Sequence, residues 1–280
     1  MDTSDEIKSR YASEAKTYRE DAIIINFDAK TLFNKFVNII KTVYPDKETK
    51  LKVLDLGAGN GMLTELVYNE YKNAEFTMFD FSEGMLESAK YIFEDNMYDI
   101  NVTYVTGNFI TDDFPDEEYD LIISSYALHH VRTPEELKRV YAKISKHLKK
   151  TGIFLCLDNY LGETEEERIE QINISLNNWE KSYNSRTKAL EWGSILEGED
   201  SPATIKTIIS LIKSTSSTPL LISDKGTLAT IYGLCKLDES EIESIGLSDL
   251  VKSWKNNKLY TDNVNEYLIS NYQYSKYREE

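Results

Sequence analysis

Over residues 51–158, short runs of branched apolar residues alternate with stretches whose apolar positions recur at helical spacing. Parallel strands are joined by helical crossovers and buried on both faces, so this alternation is the pattern of a mostly parallel, doubly wound α/β sheet. Five strands are predicted, at 51–56, 75–80, 101–105, 119–125 and 152–158. Segments 61–71, 82–93 and 134–149 read as helices, the last opened by Thr133, Pro134 and Glu136 in a capping-box arrangement. Upstream, 31–43 places Leu32, Phe33, Phe36, Ile39, Ile40 and Val43 on one helical face. The more polar segment before it reads as a flap. Three parts are therefore expected: an N-terminal helical flap (1–44), an α/β core (45–158) and a largely helical C-terminal extension (159–280).

In that extension Ile169, Ile172, Leu176, Trp179 and Tyr183, then Ile205, Ile208, Ile209 and Ile212, follow helical periods. Two short apolar pieces, 219–223 and 228–234, flank Asp224, Lys225 and Gly226 and fit either a hairpin or a helix break.

Composition narrows the function classes. The 280 residues allow one large domain or two small ones. With 32 Lys plus Arg against 48 Asp plus Glu, the formal charge is -16, which disfavours broad nucleic-acid contact because a duplex binder needs a field of cations. No apolar run approaches the roughly 18 residues of a membrane span. The acidic N-terminus, with Asp2, Asp5 and Glu6, lacks the apolar region of a signal peptide, so a cytoplasmic location is expected. Cys156 and Cys235 form neither a disulfide framework nor a zinc-ligand spacing, and no metal is expected.

The residues that carry chemistry begin with Val53-Leu54-Asp55-Leu56-Gly57-Ala58-Gly59-Asn60-Gly61, which closes a strand and opens a helix. Three of the chain's 12 glycines at alternate positions imply a loop where a ligand approaches backbone beside a helix N-terminus. A dinucleotide loop of the form G-x-G-x-x-G needs a later third glycine, where this chain has Met62. Asp55 would repel a pyrophosphate and favour a cation. S-adenosylmethionine has an ammonium and a sulfonium and no phosphate. Asp80 ends the second strand, the position from which a carboxylate accepts bonds from both ribose hydroxyls. Phe81 and Met85 follow as candidate adenine-packing groups, and Asn108 and Phe109 after the third strand as candidate adenine contacts. The fourth strand delivers Ser125 and Tyr126 to the edge where ligands bind in open α/β folds, with His129 and His130 just beyond and Asp158 ending the fifth strand.

Asp55–Gly61, Asp80, Asn108 and the block 119–131 resemble the class I S-adenosylmethionine-dependent methyltransferase family of small-molecule type, well over 50–158 and loosely over 11–43. The resemblance implies a Rossmann-like fold, with Gly57, Ala58, Gly59 and Gly61 beside Asp55 at the methionine part, and Asp80 on the ribose. It adds Phe81, Met85, Asn108, Phe109 and Ser125 to the cofactor site, with Tyr18 of the flap covering the methionine part. Asn108 stands where the family usually has Asp. Tyr126, His129 and Asp158 are the catalytic candidates. The expected reaction is in-line methyl transfer to a small-molecule acceptor, leaving S-adenosylhomocysteine; a homodimer is left open. Three alternatives remain: a protein or RNA acceptor, a carboxy-S-adenosylmethionine synthase (a group that typically lacks the glycine present here as Gly59), and a non-catalytic binding module. The family's sixth and seventh strands are not evident after residue 158. Either 219–234 supplies them or helices replace them.

Overall fold

The computed structural model describes residues 28–221, 228–250 and 268–274. Tyr18 and most of the expected flap lie outside the described residues. Five parallel strands, β1 (Lys52–Leu56), β2 (Glu75–Asp80), β3 (Asn101–Thr106), β4 (Tyr119–Ser125) and β5 (Leu148–Asn159), align in the order β3-β2-β1-β4-β5. β1 and β4 lie inside this sheet, and Val53, Leu54, Leu56, Leu121, Ile122 and Ile123 are all buried, as continuous apolar runs covered on both faces should be. The covering helices include α1 (Ala29–Val43), α2 (Met62–Glu70), α3 (Glu83–Asp95) and α4 (Pro134–His147). α1 buries Leu32, Phe33, Phe36 and Ile40 and packs on β5.

Helix α4 opens as its sequence predicts: the Thr133 Oγ1 accepts the Glu136 N–H at 3.2 Å, with Pro134 in the first turn. It ends at His147, short of the predicted residue 149, because Leu148 already pairs with Tyr119. The register then shifts before Leu121 meets Ile153.

After residue 158 the structure takes the first of the two alternatives, after three helices. Helices α5 (Glu165–Tyr183), α6 (Arg186–Glu199) and α7 (Ile205–Lys213) come first, and then the chain returns to the sheet. β6 (Thr218–Leu221) and β7 (Ala229–Cys235) pair antiparallel, and β7 pairs antiparallel with β5, giving the order β3-β2-β1-β4-β5-β7-β6. The apolar pieces that fitted either a hairpin or a helix break are thus paired strands. Pro219 masks β6 in the sequence, since a proline argues against a central strand; here it sits on an edge strand, where its missing N–H removes no required ladder bond. A short helix, α8 (Glu239–Ser244), follows β7.

A second, smaller core joins α5 and α6 to residues 268–274. Leu161, Ile172, Leu176, Trp179, Ala189, Tyr272 and Tyr274 form it, with Tyr183 and Trp192 packed alongside. The aromatic residues of this segment serve packing: Trp179 is fully buried against Tyr274, and Tyr183 stacks on Trp192.

At Gly233 the β7 backbone passes so close to β5 that an added Cβ would lie 1.9 Å from the Phe154 carbonyl oxygen. Because the obstacle is backbone in a paired strand, it cannot rotate away. Gly233→Ala is expected to lower stability by about 1–3 kcal/mol or more, read as a lower urea midpoint. An unchanged midpoint would mean that β7 does not pair with β5 in this register.

Candidate active site at the carboxyl ends of the strands

Parallel alignment brings the ends of β1 to β5 to one edge of the sheet, where open α/β folds bind ligands. β1 leads into the glycine loop, and Gly57, Gly59 and Gly61 adopt φ of 67°, 53° and 80°. Side chains rarely tolerate this left-handed region. The loop is tied to β2 by three hydrogen bonds. The Gly57 and Ala58 N–H groups donate to the Phe79 carbonyl at 2.8 and 3.3 Å, and the Gly59 N–H donates to Asp80 Oδ2 at 2.8 Å. Asp80 Oδ1 accepts the Ser82 N–H at 2.8 Å, so this carboxylate couples the glycine loop to the start of α3.

Asp55 is 1% exposed. Its Oδ2 accepts from the Thr64 hydroxyl at 2.7 Å, whereas its Oδ1 is buried without a hydrogen-bond partner. Burial, only partly offset by Thr64 and reinforced by the Asp80 charge, pushes the Asp55 carboxyl up to about 7. Burial likewise raises Asp80 to about 6, against the lowering effect of the Ser82 and Gly59 N–H groups.

Met85 is buried with its Cε 3.2 Å from where a Gly59 Cβ would stand, and Phe109 is buried against Gly57. Phe81 is half-buried. Asn108 is half-buried in a turn in which its Oδ1 accepts the Ile110 N–H at 2.9 Å and its own N–H donates to Asp112 Oδ2 at 2.8 Å. The Lys143 ammonium holds this turn from α4 by donating to the Phe109 and Asp112 carbonyls.

Beyond β4, Ser125 and Tyr126 are half-buried. Tyr126 has a φ of 49°, sparsely populated for a non-glycine residue; its N–H donates to the Leu157 carbonyl at 2.9 Å and its ring meets the edge of Phe33. Next, Leu128–His130 form a 3₁₀ turn whose Leu128 and His129 N–H groups donate to Asp158 Oδ2 at 2.8 and 3.1 Å. Asp158 Oδ1 takes the His129 Nδ1 at 2.5 Å and the Asn159 N–H at 2.8 Å. On the other side of the ring, His129 Nε2 stands 3.4 Å from Asp200 Oδ1. Burial alone would depress the His129 imidazole, but the Asp200 and Asp158 carboxylates outweigh it and hold the ring protonated, well above its ordinary range. His130 is pushed down to about 4 by burial and by the neighbouring His129 charge.

The sheet edge thus gathers Asp55, Gly57, Ala58, Gly59, Gly61, Asp80, Met85 and Phe109 around one loop, while His129 and Asp158 form a separate buried pair toward β5. Sequence reading missed Thr64, whose signal is a hydroxyl on the buried side of α2 one turn past the loop, and Ala127, which packs at 2.4 Å from the Cβ position of Gly57. It also missed Asp200, for which the sequence offers no spacing signal, being 71 residues from His129 and brought there by the turn after α6.

Residues 53–152 match the family model of a methyltransferase domain. The malonyl-[acyl-carrier protein] O-methyltransferase of Priestia megaterium (strain DSM 319 / IMG 1521) is 30% identical over 149 residues, 53% of this chain and 49% of that protein. YcgJ of Bacillus subtilis (strain 168), described as an uncharacterized methyltransferase, is 25% identical over 193 residues, 65% of this chain and 71% of it. The matched region spans about half the length of the malonyl-[acyl-carrier protein] enzymes. Among solved structures, an O-methyltransferase family 2 protein from Planctomyces limnophilus DSM 3776, in complex with apigenin, aligns with a TM-score of 0.55 at 18% identity, over 80% of this chain and 62% of that one. That likeness shows the fold. Loop and sheet order are those of a Rossmann-like α/β fold, and the match to a methyltransferase domain lies within it. No helix among the described residues is long and apolar enough to cross a membrane.

The raised carboxyls of Asp55 and Asp80 make a signed prediction. Their folded values of about 7 and 6 exceed the ordinary 3.8, so the fold binds protons that the unfolded chain releases. The stability this contributes is complete below about pH 4 and is lost as pH rises through 6 to 7. In ligand-free protein, the stability of the wild type relative to Asp55→Asn should fall as pH rises from 4 to 8, measured by urea unfolding. A difference that holds constant would make Asp55 an ordinary ionised carboxylate.

Proposed function

We propose that the protein binds S-adenosylmethionine in the loop between β1 and α2 and transfers its methyl group to a small-molecule acceptor. The buried, unpartnered Asp55 Oδ1 carries this reading. An orphaned carboxylate oxygen beneath a glycine loop is costly unless a donor or cation reaches it, and burial raises the Asp55 carboxyl to about 7. A cationic methionine moiety fits where a phosphate would be repelled.

The remaining residues fit the same ligand. Each Asp80 oxygen accepts one backbone N–H and keeps lone-pair capacity for a ribose hydroxyl. Gly59 presents backbone that a Cβ would cover. Met85, Phe81 and Phe109 offer apolar surface for an adenine, and Asn108 a polar edge, although its Oδ1 already accepts Ile110 N–H. When bound, S-adenosylmethionine supplies a methyl group on a positively charged, hence good, leaving group.

The protein's own work is then alignment and exclusion of water. Ser125 and Tyr126 lie on the β4 side of the loop, and Tyr126 is a candidate for contact with the acceptor. His129 and Asp158 act as positioning residues: both imidazole nitrogens face carboxylates, and Asp158 fastens the turn that follows Tyr126. An acceptor that is already anionic, or a neutral amine, suits such a site because it needs no proton removed first. O-methylation is the reaction named for the malonyl-[acyl-carrier protein] relatives. The division into flap, core and acceptor-binding region at 1–44, 45–158 and 159–280 belongs to this proposal, with the last part also completing the sheet.

Two measurements test it. Purified protein should bind S-adenosylhomocysteine by calorimetry and not NAD, and should move label from methyl-labelled S-adenosylmethionine into a metabolite extract. Asp80→Asn, which keeps an acceptor for one backbone N–H, should retain the fold yet weaken S-adenosylhomocysteine binding by about 10- to 100-fold, since hydrogen bonds to a charged group are worth roughly 1.5–3 kcal/mol. Full affinity in that variant would remove Asp80 from the ribose site.

A further inference from the structure

His129, His130 and Asp200 converge at the β5 side of the sheet edge, and their ligand-type atoms, one per residue, all lie within 4.8 Å of one another. We infer that these three side chains form a binding site for a divalent transition cation of the zinc type, fastening the turn after β4 to the segment after α6. This goes beyond methyl transfer and does not depend on it.

The distances suit shared ligation. His129 Nε2 and His130 Nδ1 stand 3.4 and 3.7 Å from the same oxygen, Asp200 Oδ1. Both exceed the usual 2.7–3.2 Å range for an N–H···O bond. Two ligands about 2.0–2.1 Å from one zinc ion at a tetrahedral angle are about 3.3–3.4 Å apart, so small adjustments bring all three atoms onto one ion. The Glu199 carbonyl oxygen lies 3.4 Å from the same His130 nitrogen.

The surrounding structure is already arranged for ligation. Asp158 fixes the His129 ring through Nδ1, leaving Nε2 turned toward Asp200, which is the carboxylate–histidine–metal arrangement that orients a ligand imidazole. Asp158 is itself held by three backbone N–H groups. Two imidazoles and a carboxylate favour zinc over magnesium or calcium, which prefer all-oxygen sets. Asp200 and His129 are buried and His130 is partly exposed, so the cation would enter past His130 and take the place of the proton between Nε2 and Asp200. Only three histidines occur in the whole chain, and two of them meet here.

The test uses untagged full-length protein, stripped by dialysis against a chelator and titrated with Zn²⁺ alone. One equivalent should bind at micromolar Kd or tighter, survive gel filtration and raise the melting temperature by several degrees, whereas Mg²⁺ should do neither. His130→Ala, the most exposed of the three positions, should weaken Zn²⁺ binding at least tenfold with an unchanged circular dichroism spectrum. Absence of stoichiometric Zn²⁺ uptake by the wild type, or wild-type affinity in His130→Ala, overturns the site. Should the variant fail to fold, Co²⁺ bound to the wild type decides: intense visible bands of a low-coordinate ion support the site, and the weak spectrum of an octahedral ion overturns it.

Discussion

Three buried carboxylates, Asp55 in β1, Asp80 ending β2 and Asp158 near the end of β5, hold the functional edge of this sheet together. Among the described residues none of them pairs with Lys or Arg; backbone N–H groups, a threonine hydroxyl and one histidine take that part. Such bonding is directional and short-ranged, so each carboxylate fixes a particular loop instead of merely attracting charge. Asp80 sets the glycine loop against α3, and Asp158 sets the turn after β4 against β5. Both are needed because parallel strands end in loops that no neighbouring strand can pair.

The two ends of this edge differ in what they leave available. Around β1 and β2 the carboxylates retain unused acceptor capacity, most clearly the buried Asp55 Oδ1. Around β5, Asp158 is enclosed by its donors and His129 by two carboxylates. The first end suits a ligand carrying donors and positive charge. The second is built to hold a loop in place, and its geometry accommodates a cation where carboxylate and imidazoles crowd together. A nearby catalytic base, had the chemistry required one, would need a ring nitrogen facing open space, and His129 has none.

The described residues after 158 serve two structural ends. Strands β6 and β7 complete the sheet by antiparallel pairing, and α5 and α6 build a separate aromatic core with residues 268–274. Asn271 Nδ2 donates to the Glu197 carbonyl and the Tyr272 hydroxyl to the Tyr160 carbonyl, so the far end of the chain closes over the segment that leaves β5.

By itself the sequence determined the parallel core. Continuous apolar runs such as 121–123, alternating with helical periods, fit strands covered on both faces, and the spacing of Gly57, Gly59 and Gly61 before a helix fits a loop where backbone comes close to a ligand. Tertiary structure alone decided the antiparallel edge, because Pro219 is compatible with a strand only at an edge, and edges are a property of the assembled sheet. It alone gave Trp179 to a core, and it alone brought Asp200 to His129. That last meeting is invisible in the chain: Asp200 lies 71 residues after His129 and carries no spacing signal until α6 ends where it does, and their chemistry exists only at the distance the fold imposes.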